Sequence, residues 1–530
     1  MHNWSLAALT LLPLLGSIIV FSLPAEWKEG AKVTALGFSL AALFFTLVLG
    51  ITFDTSADAP RFQFTGSWTW IKAIGTHFAF GIDGIALVLV GISVILVPCV
   101  LLASWNSFDK TSDMEEEGEK PRSAKNFFGL ILLLEFFMIG VFVVTDVFLF
   151  YVFFEAMLVP MYFLIGSFGG PRRQYAAMKF FVYSLVGGLI MLASVIGLYL
   201  TSGKSTFAFS DLIGTVPDNA TQKWLFLGFF IAFAIKAPLF PVHTWLPDAG
   251  AEAPIGAAAL LVGVLDKVGT FGFLRYCLPL FPAASKWFAP TALVLSVVGI
   301  IYAAFLAIGQ RDMKRLVAYT SVAHFGFIGI GIFAFTTQGG SGAVLYMVNH
   351  GLSTGVLFLV VGMLIMRGKS RMISDYAGTA KITPRLGGAF LLAGLSALAL
   401  PGMSTFISEF LVLIGTFTRH RALAIIATLG IVLAALYVLY LYQRVMQGPP
   451  SEAVKNFPDL NKRELFAVTP LIALIIFLGI YPRPVMDIIN PAVKATLHDV
   501  GTTDPLPKNG IVPAAQPASN PTPNSAGGSK

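Results

Sequence analysis

Apolar residues run along this chain in long blocks, and short polar stretches separate them. Each block is close to the roughly 20 residues that a helix needs to cross a bilayer. The pattern predicts about fourteen spans of that length, at 4–22, 33–52, 82–105, 127–144, 147–168, 175–201, 224–246, 255–277, 287–309, 314–335, 341–366, 386–418, 423–446 and 465–481. The blocks do not alternate with period two, as the strands of a transmembrane barrel would. An all-α polytopic membrane protein is expected. An even number of spans puts both termini on the same side.

Two of the blocks carry interruptions. In the seventh, Lys236 is followed by Pro238 and Pro241; in the twelfth, Leu400-Pro-Gly-Met-Ser404 lies near the middle. Proline removes a backbone donor and breaks a helix. At membrane depth such breaks are tolerated where they line a polar cavity or are covered by protein. Two breaks five spans apart, each near an ionisable residue, suggest inverted repeats, because an odd offset reverses topology. Spans 4–8 would mirror spans 9–13. The expected division is 1–126 for the first three helices and an acidic loop, 127–277 and 278–447 for the two repeats, 448–500 for the last span and a short surface helix from 484, and 501–530 for a disordered tail rich in Pro, Ala, Ser and Gly.

Composition agrees with this picture. Of 530 residues, 56% are hydrophobic and only 12% charged, against about 25% charged in ordinary soluble domains. The net charge of +7 does not point to nucleic acid, because the basic residues sit in short loops between apolar blocks. Arg172, Arg173, Arg311, Lys314, Arg367 and Arg371 all fall in odd-numbered loops, which hold most of the Lys and Arg. Those loops are therefore expected on the cytoplasmic side, with both termini outside. The first span lacks a basic stretch ahead of it and reads as a retained helix rather than a cleaved signal. The acidic run Glu115-Glu-Glu-Gly-Glu119 reads as a solvated tether, and Cys99 and Cys277 as inert packing residues. There is no cysteine cluster for iron–sulfur, no phosphate loop and no dinucleotide fingerprint.

The candidate chemistry lies in the charges that interrupt the apolar blocks. A charge at mid-helix in a bilayer costs roughly 2.5–3.5 kcal/mol on insertion scales. This chain keeps Glu135, Glu155, Lys236, Asp266, Lys267 and Glu409 there. Glu155 stands alone in an apolar block and must be neutral or paired; Lys236 is the expected partner, as a switchable proton holder or as a static tie between helices. Lys267 follows Asp266, and adjacent helical residues point about 100° apart, so the two need not pair. His324 and His350, on consecutive spans, suit a proton relay because histidine titrates near neutral pH. A haem held between them is conceivable but disfavoured by their titratable neighbours. His243, at the end of the broken seventh span, could take up protons or cap the broken piece. Glu135 could be a structural partner, and Asp83 a helix cap. So many buried ionisable groups imply movement of charge across the membrane.

Three stretches are specific enough to name a family. They are Phe153-Phe-Glu-Ala-Met-Leu-Val-Pro-Met-Tyr-Phe163, Ala234-Ile-Lys-Ala-Pro-Leu-Phe-Pro-Val-His-Thr-Trp-Leu-Pro-Asp-Ala249 and Asp312-Met-Lys-Arg-Leu-Val-Ala-Tyr-Thr-Ser-Val-Ala-His-Phe-Gly326. They resemble the proton-pumping, antiporter-like subunits of respiratory complex I, the type I NADH:quinone oxidoreductase, and the likeness runs from about Gly81 to Pro482. The resemblance implies fourteen helices with two inverted five-helix repeats. It implies an ion pair between Glu155 and Lys236, a central Lys267, a polar axis continued by His324 and His350, and an outer exit at Glu409. Glutamate at 409, where sister chains L and N usually carry lysine, points to the branch that contains bacterial chain M and mitochondrial subunit 4. It also disfavours the related multisubunit cation/proton antiporters, the alternative reading. The resemblance further implies no cofactor in this chain, with FMN, iron–sulfur clusters and quinone in partner subunits. Chains L and N are implied on its flanks, in lipid of a bacterial plasma membrane. Asp266 departs from the family pattern, which has an aliphatic residue there; an acid beside Lys267 could stabilise its charged form.

Overall fold

The computed structural model describes residues 3–56, 58–108, 123–216 and 218–505. The acidic run at 115–119 and the tail beyond 505 lie outside the described residues. A chain in lipid must satisfy its backbone polar groups internally, which favours helices. Among the described residues, twelve helices are long and apolar enough to cross a membrane, from Ser5–Ser22 to Lys462–Ile480. Two further apolar stretches are interrupted where the prolines predict. The first runs as the helix Asn219–Lys236, turns through 237–244 and resumes as Trp245–Glu252. The second runs as Pro384–Ala397, unwinds through 398–403 and resumes as Ser404–Arg419. Side chains capture carbonyls near both breaks. Trp245 Nε1 donates to the Ile235 carbonyl at 2.8 Å, and the Thr405 hydroxyl donates to the Ser396 carbonyl.

The long helices Met313–Phe333 and Thr337–Gly368 and the stretch Ile255–Leu280 are almost wholly buried and form the centre of the bundle. Lys28–Thr52 and Arg421–Met446 lie at its periphery and expose Phe44, Leu47, Leu429 and Val432. Ile255–Leu280 is not one regular helix. Two π-helical stretches interrupt it, Leu261–Leu265 and Phe273–Cys277.

The all-α fold holds, and one small β element is added to it. Strands Gln63–Ile71 and Thr76–Ile82 form an antiparallel hairpin, with Trp68 opposite Phe78 and Thr69 opposite His77. Gly75 closes the turn at φ +67°. Its hydrophobic alternation covers only a few residues between two spans, too little to stand out. The hairpin leads into Asp83, whose carboxylate accepts from the Ala86 amide at 2.9 Å and caps the helix Gly84–Ala103, as expected of that residue.

The stretch expected as a short helix from 484 is the amphipathic helix Arg483–Val500. Its buried residues Ile489, Ala492, Val493, Thr496 and Val500 recur at helical spacing. It rests on Gly84, where a β-carbon would meet the Ile488 carbonyl, and on Gly340 beneath Val493.

A network of charged side chains ties residues of 170–252 to residues of 311–371. Asp248 pairs with Lys179 at 2.7 Å and with Arg315; Glu252 pairs with Arg371 at 3.1 Å. Burial opposes ionisation of Asp248, but hydrogen bonds from Lys179 and Arg315 outweigh it and hold the carboxyl below its ordinary range. A depressed folded-state value stabilises above the unfolded value, and that stabilisation is lost as pH falls through the folded one. Asp248→Asn should therefore unfold at a lower temperature than wild type at neutral pH. The gap should close as the buffer is taken below about pH 4; a gap that stayed constant with pH would remove this role from Asp248.

Candidate functional site

Glu155 lies near the end of the helix Val147–Ala156. Pro160, four residues past Ala156, cannot donate to the Ala156 carbonyl, which explains the stop there. The glutamate rests on the helix Arg173–Thr201, where a β-carbon at Gly188 would sit 1.6 Å from its Oε1. The adjacent Gly187 receives Ala232 and Ile235 of the helix that ends in Lys236. Two neighbouring glycines thus seat both the acid and the helix of the amine.

Lys236 is buried, and its Nζ has no hydrogen bond to protein; it lies 4.8 Å from the centre of the Phe154 ring. A cation over an aromatic face is stabilised by the ring quadrupole. Glu155 and Lys236 feel each other's charge, but no ion pair within 4.0 Å joins them. The contact pair expected from the resemblance is thus a separated one, because each side chain rests on its own surface, glycine for the acid and aromatic for the amine.

Lys267 comes two residues after the end of the first π-helical stretch, beyond Asp266, and its Nζ folds back onto the Val262 carbonyl. Such turns frequently mark functional positions. The same Nζ is 2.7 Å from His350 Nδ1. The His350 and His324 rings lie 5.3 Å apart, and His324 Nδ1 shares a hydrogen bond with the Tyr346 hydroxyl. The Nδ1 atoms of both imidazoles are thus engaged within a polar row, by Lys267 and by Tyr346. Glu409, buried on the helix Ser404–Arg419, acts electrostatically on Tyr346 and Tyr437. Asn349 donates to the Ser404 carbonyl at 2.7 Å and so ties the histidine helix to the second break.

The structure therefore brings Lys267, His350 and His324 together and leads through Tyr346 towards Glu409. Asp266 lies within electrostatic reach of both Lys236 and Lys267. Glu135 and His243 stand apart from this row. Both Glu135 oxygens are buried without a hydrogen bond to protein. His243 sits in the turn of the first break against Phe240 and Tyr302. Tyr346 and Tyr437 were not picked out by the sequence reading. Tyr346 precedes His350 by four residues, a same-face spacing, and that signal could have found it.

A helical membrane bundle holding a row of buried acids, amines and imidazoles is the architecture of an ion-translocating subunit. Residues 144–434 match the family described as NADH:quinone oxidoreductase/Mrp antiporter, TM. The chain is 47% identical over 529 residues to NADH-quinone oxidoreductase subunit M of Mycobacterium tuberculosis, covering 95% of each. It is 38% identical over 493 residues to NADH-ubiquinone oxidoreductase chain 4 of Arabidopsis thaliana, covering 93% of this chain and 96% of that one. It superposes with a TM-score of 0.84 on a chain of respiratory complex I from Thermus thermophilus with bound NADH, at 30% identity, covering 94% and 100% of the two chains. A chain of the Mrp complex from Dietzia sp. matches with a TM-score of 0.80 at 19% identity, which is a likeness of fold alone. The chain belongs to the antiporter-like membrane subunits of NADH:quinone oxidoreductase, respiratory complex I.

Proposed function

We propose that this chain translocates protons through a row running from Glu155 and Lys236 through Lys267, His350 and His324 to Glu409, with Glu135, His243 and Asp266 as accessory groups. As a family member it is a multi-pass subunit of the membrane arm of complex I, and the redox cofactors sit in other subunits. Those are FMN and iron–sulfur clusters, and quinone reduction there supplies the energy. The sister chains L and N flank it in a bacterial plasma membrane, and both termini face outward. Residues 127–277 and 278–447 form inverted repeats of a fourteen-span core, each with one broken helix.

The observation that carries the reading is the direct contact of Lys267 with His350, which joins the first stretch to the histidines of the second. Lys236 and Glu155 stay apart, so each can change protonation without breaking a contact pair. A change of charge near Glu155 shifts the affinity of Lys236 for its proton, and the proton passes to Lys267 and the histidines. Glu409 releases it outward. Moving one charge against 100 mV costs about 2.3 kcal/mol, which one to two pKa units of swing at a site can supply.

Lys236→Ala tests the reading in inverted membrane vesicles. The complex should assemble and still pass electrons from NADH to an artificial acceptor, while NADH-driven proton uptake is lost and coupled quinone reduction falls. Wild-type uptake in that variant would remove Lys236 from the row.

A further inference from the structure

Next to Lys267 on the central helix, about 100° round from it, lies a second ionisable group, Asp266. It is wholly buried, and neither carboxylate oxygen has a hydrogen bond to protein. It caps no helix with its side chain. Its neighbours set it apart from Lys267. Gly269, one turn on and on the same side of the helix, lies directly on the first break: a β-carbon there would come within 2.5 Å of the Ala237 amide nitrogen and the Phe233 carbonyl oxygen. Gly272 is as close to the Phe233 ring. That side of the helix is pressed against the residues around Lys236, while Lys267 turns away to His350. Lys236 and Lys267 are the two charges that act on Asp266, and each feels it in return.

We propose that Asp266 carries the proton between Lys236 and Lys267. The proposal rests on the reading that the two lysines are consecutive stations. The Lys236 ammonium gives a proton to the Asp266 carboxylate, leaving a neutral amine and a carboxylic acid. The acid then gives that proton to a neutral Lys267 amine, which becomes the ammonium, and the carboxylate is restored. Lys236 is recharged from the inner side. Two oxygens with no protein donor leave their lone pairs to the lysines or to bridging water. A permanent counter-ion would hold its negative charge throughout; a carrier is transiently neutral.

The test uses the whole complex in membranes. Asp266→Asn and Asp266→Leu should lose most NADH-driven proton uptake, and Asp266→Glu should restore it. Infrared difference spectra of the wild type during turnover should contain a protonated-carboxyl band that disappears in Asp266→Asn and shifts in Asp266→Glu. Wild-type uptake in the Asn or Leu variant would overturn the proposal, and so would the absence of that band. If Asp266→Asn fails to assemble, the Glu variant decides, and an unshifted band overturns the proposal. Lys236→Ala in the same preparation separates the two levels. If it also pumps normally, the row itself fails; if it does not pump while Asp266→Asn does, only the Asp266 link fails.

Discussion

Lys267→Met should leave complex I assembled, raise the thermal stability of this subunit and abolish its proton pumping. The two effects have opposite signs for one physical reason. Lys267 is completely buried, and its Nζ touches a backbone carbonyl and an imidazole but no carboxylate. Holding an ammonium there costs stability; insertion scales put a mid-bilayer lysine at about 2.5–3.5 kcal/mol. Methionine has a similar length, adapts to irregular surroundings and carries no charge to desolvate. Selection for stability alone would favour it. What methionine cannot do is hold a proton between the Val262 carbonyl and His350, the point where the row passes from one stretch of the chain to the other. Thermal unfolding of the purified complex and proton uptake in vesicles test both halves. A Lys267→Met complex that pumps at the wild-type rate would reduce the chain to a spacer between its neighbours, whatever its stability.

How much of this was legible beforehand depended on whether a feature is local or made by packing. Lys236 and Lys267 stand out because a charge in an apolar block is costly wherever the neighbours lie, and both proved buried and central. The breaks at 237–244 and 398–403 were legible because proline and glycine act on their own backbone. The separation of Glu155 from Lys236 was not, since it follows from how a helix seats on Gly187 and Gly188. The π-helical stretches beside Lys267 leave no pattern in residue type. Tyr346 was hidden by being aromatic, and aromatic residues are common in a membrane bundle; only its spacing from His350 and its contact with His324 reveal its role. The hairpin at 63–82 was overlooked because the long apolar blocks on either side dominate the pattern.

Asp83→Ala should destabilise the fold by about 3–5 kcal/mol, the usual cost of leaving one partner of a buried ion pair behind, with about 1 kcal/mol more for the lost cap. Asp83 and Arg275 are both buried and paired at 2.7 Å. The guanidinium also lies 4.7 Å from the Phe62 ring centre and 5.0 Å from that of Phe271. Truncating Asp83 leaves that guanidinium uncompensated in an aromatic cage and uncaps the helix Gly84–Ala103. Asp83→Asn keeps a capping oxygen and removes only the charge, so it should fall between wild type and Ala. The double variant Asp83→Ala with Arg275→Met should recover much of the loss, because replacing both members of a buried pair is often neutral or better. That non-additivity is what a double-mutant cycle measures. The consequence reaches the site: Arg275 lies two turns beyond Lys267 in the same buried stretch, so the clamp fixes the helix that presents Asp266 to one side and Lys267 to the other. A partly destabilised Asp83→Asn complex should therefore lose proton uptake before it loses assembly. An Asn variant as stable as wild type, with the double variant no better than Ala alone, would mean that the cap and not the ion pair holds this end of the helix.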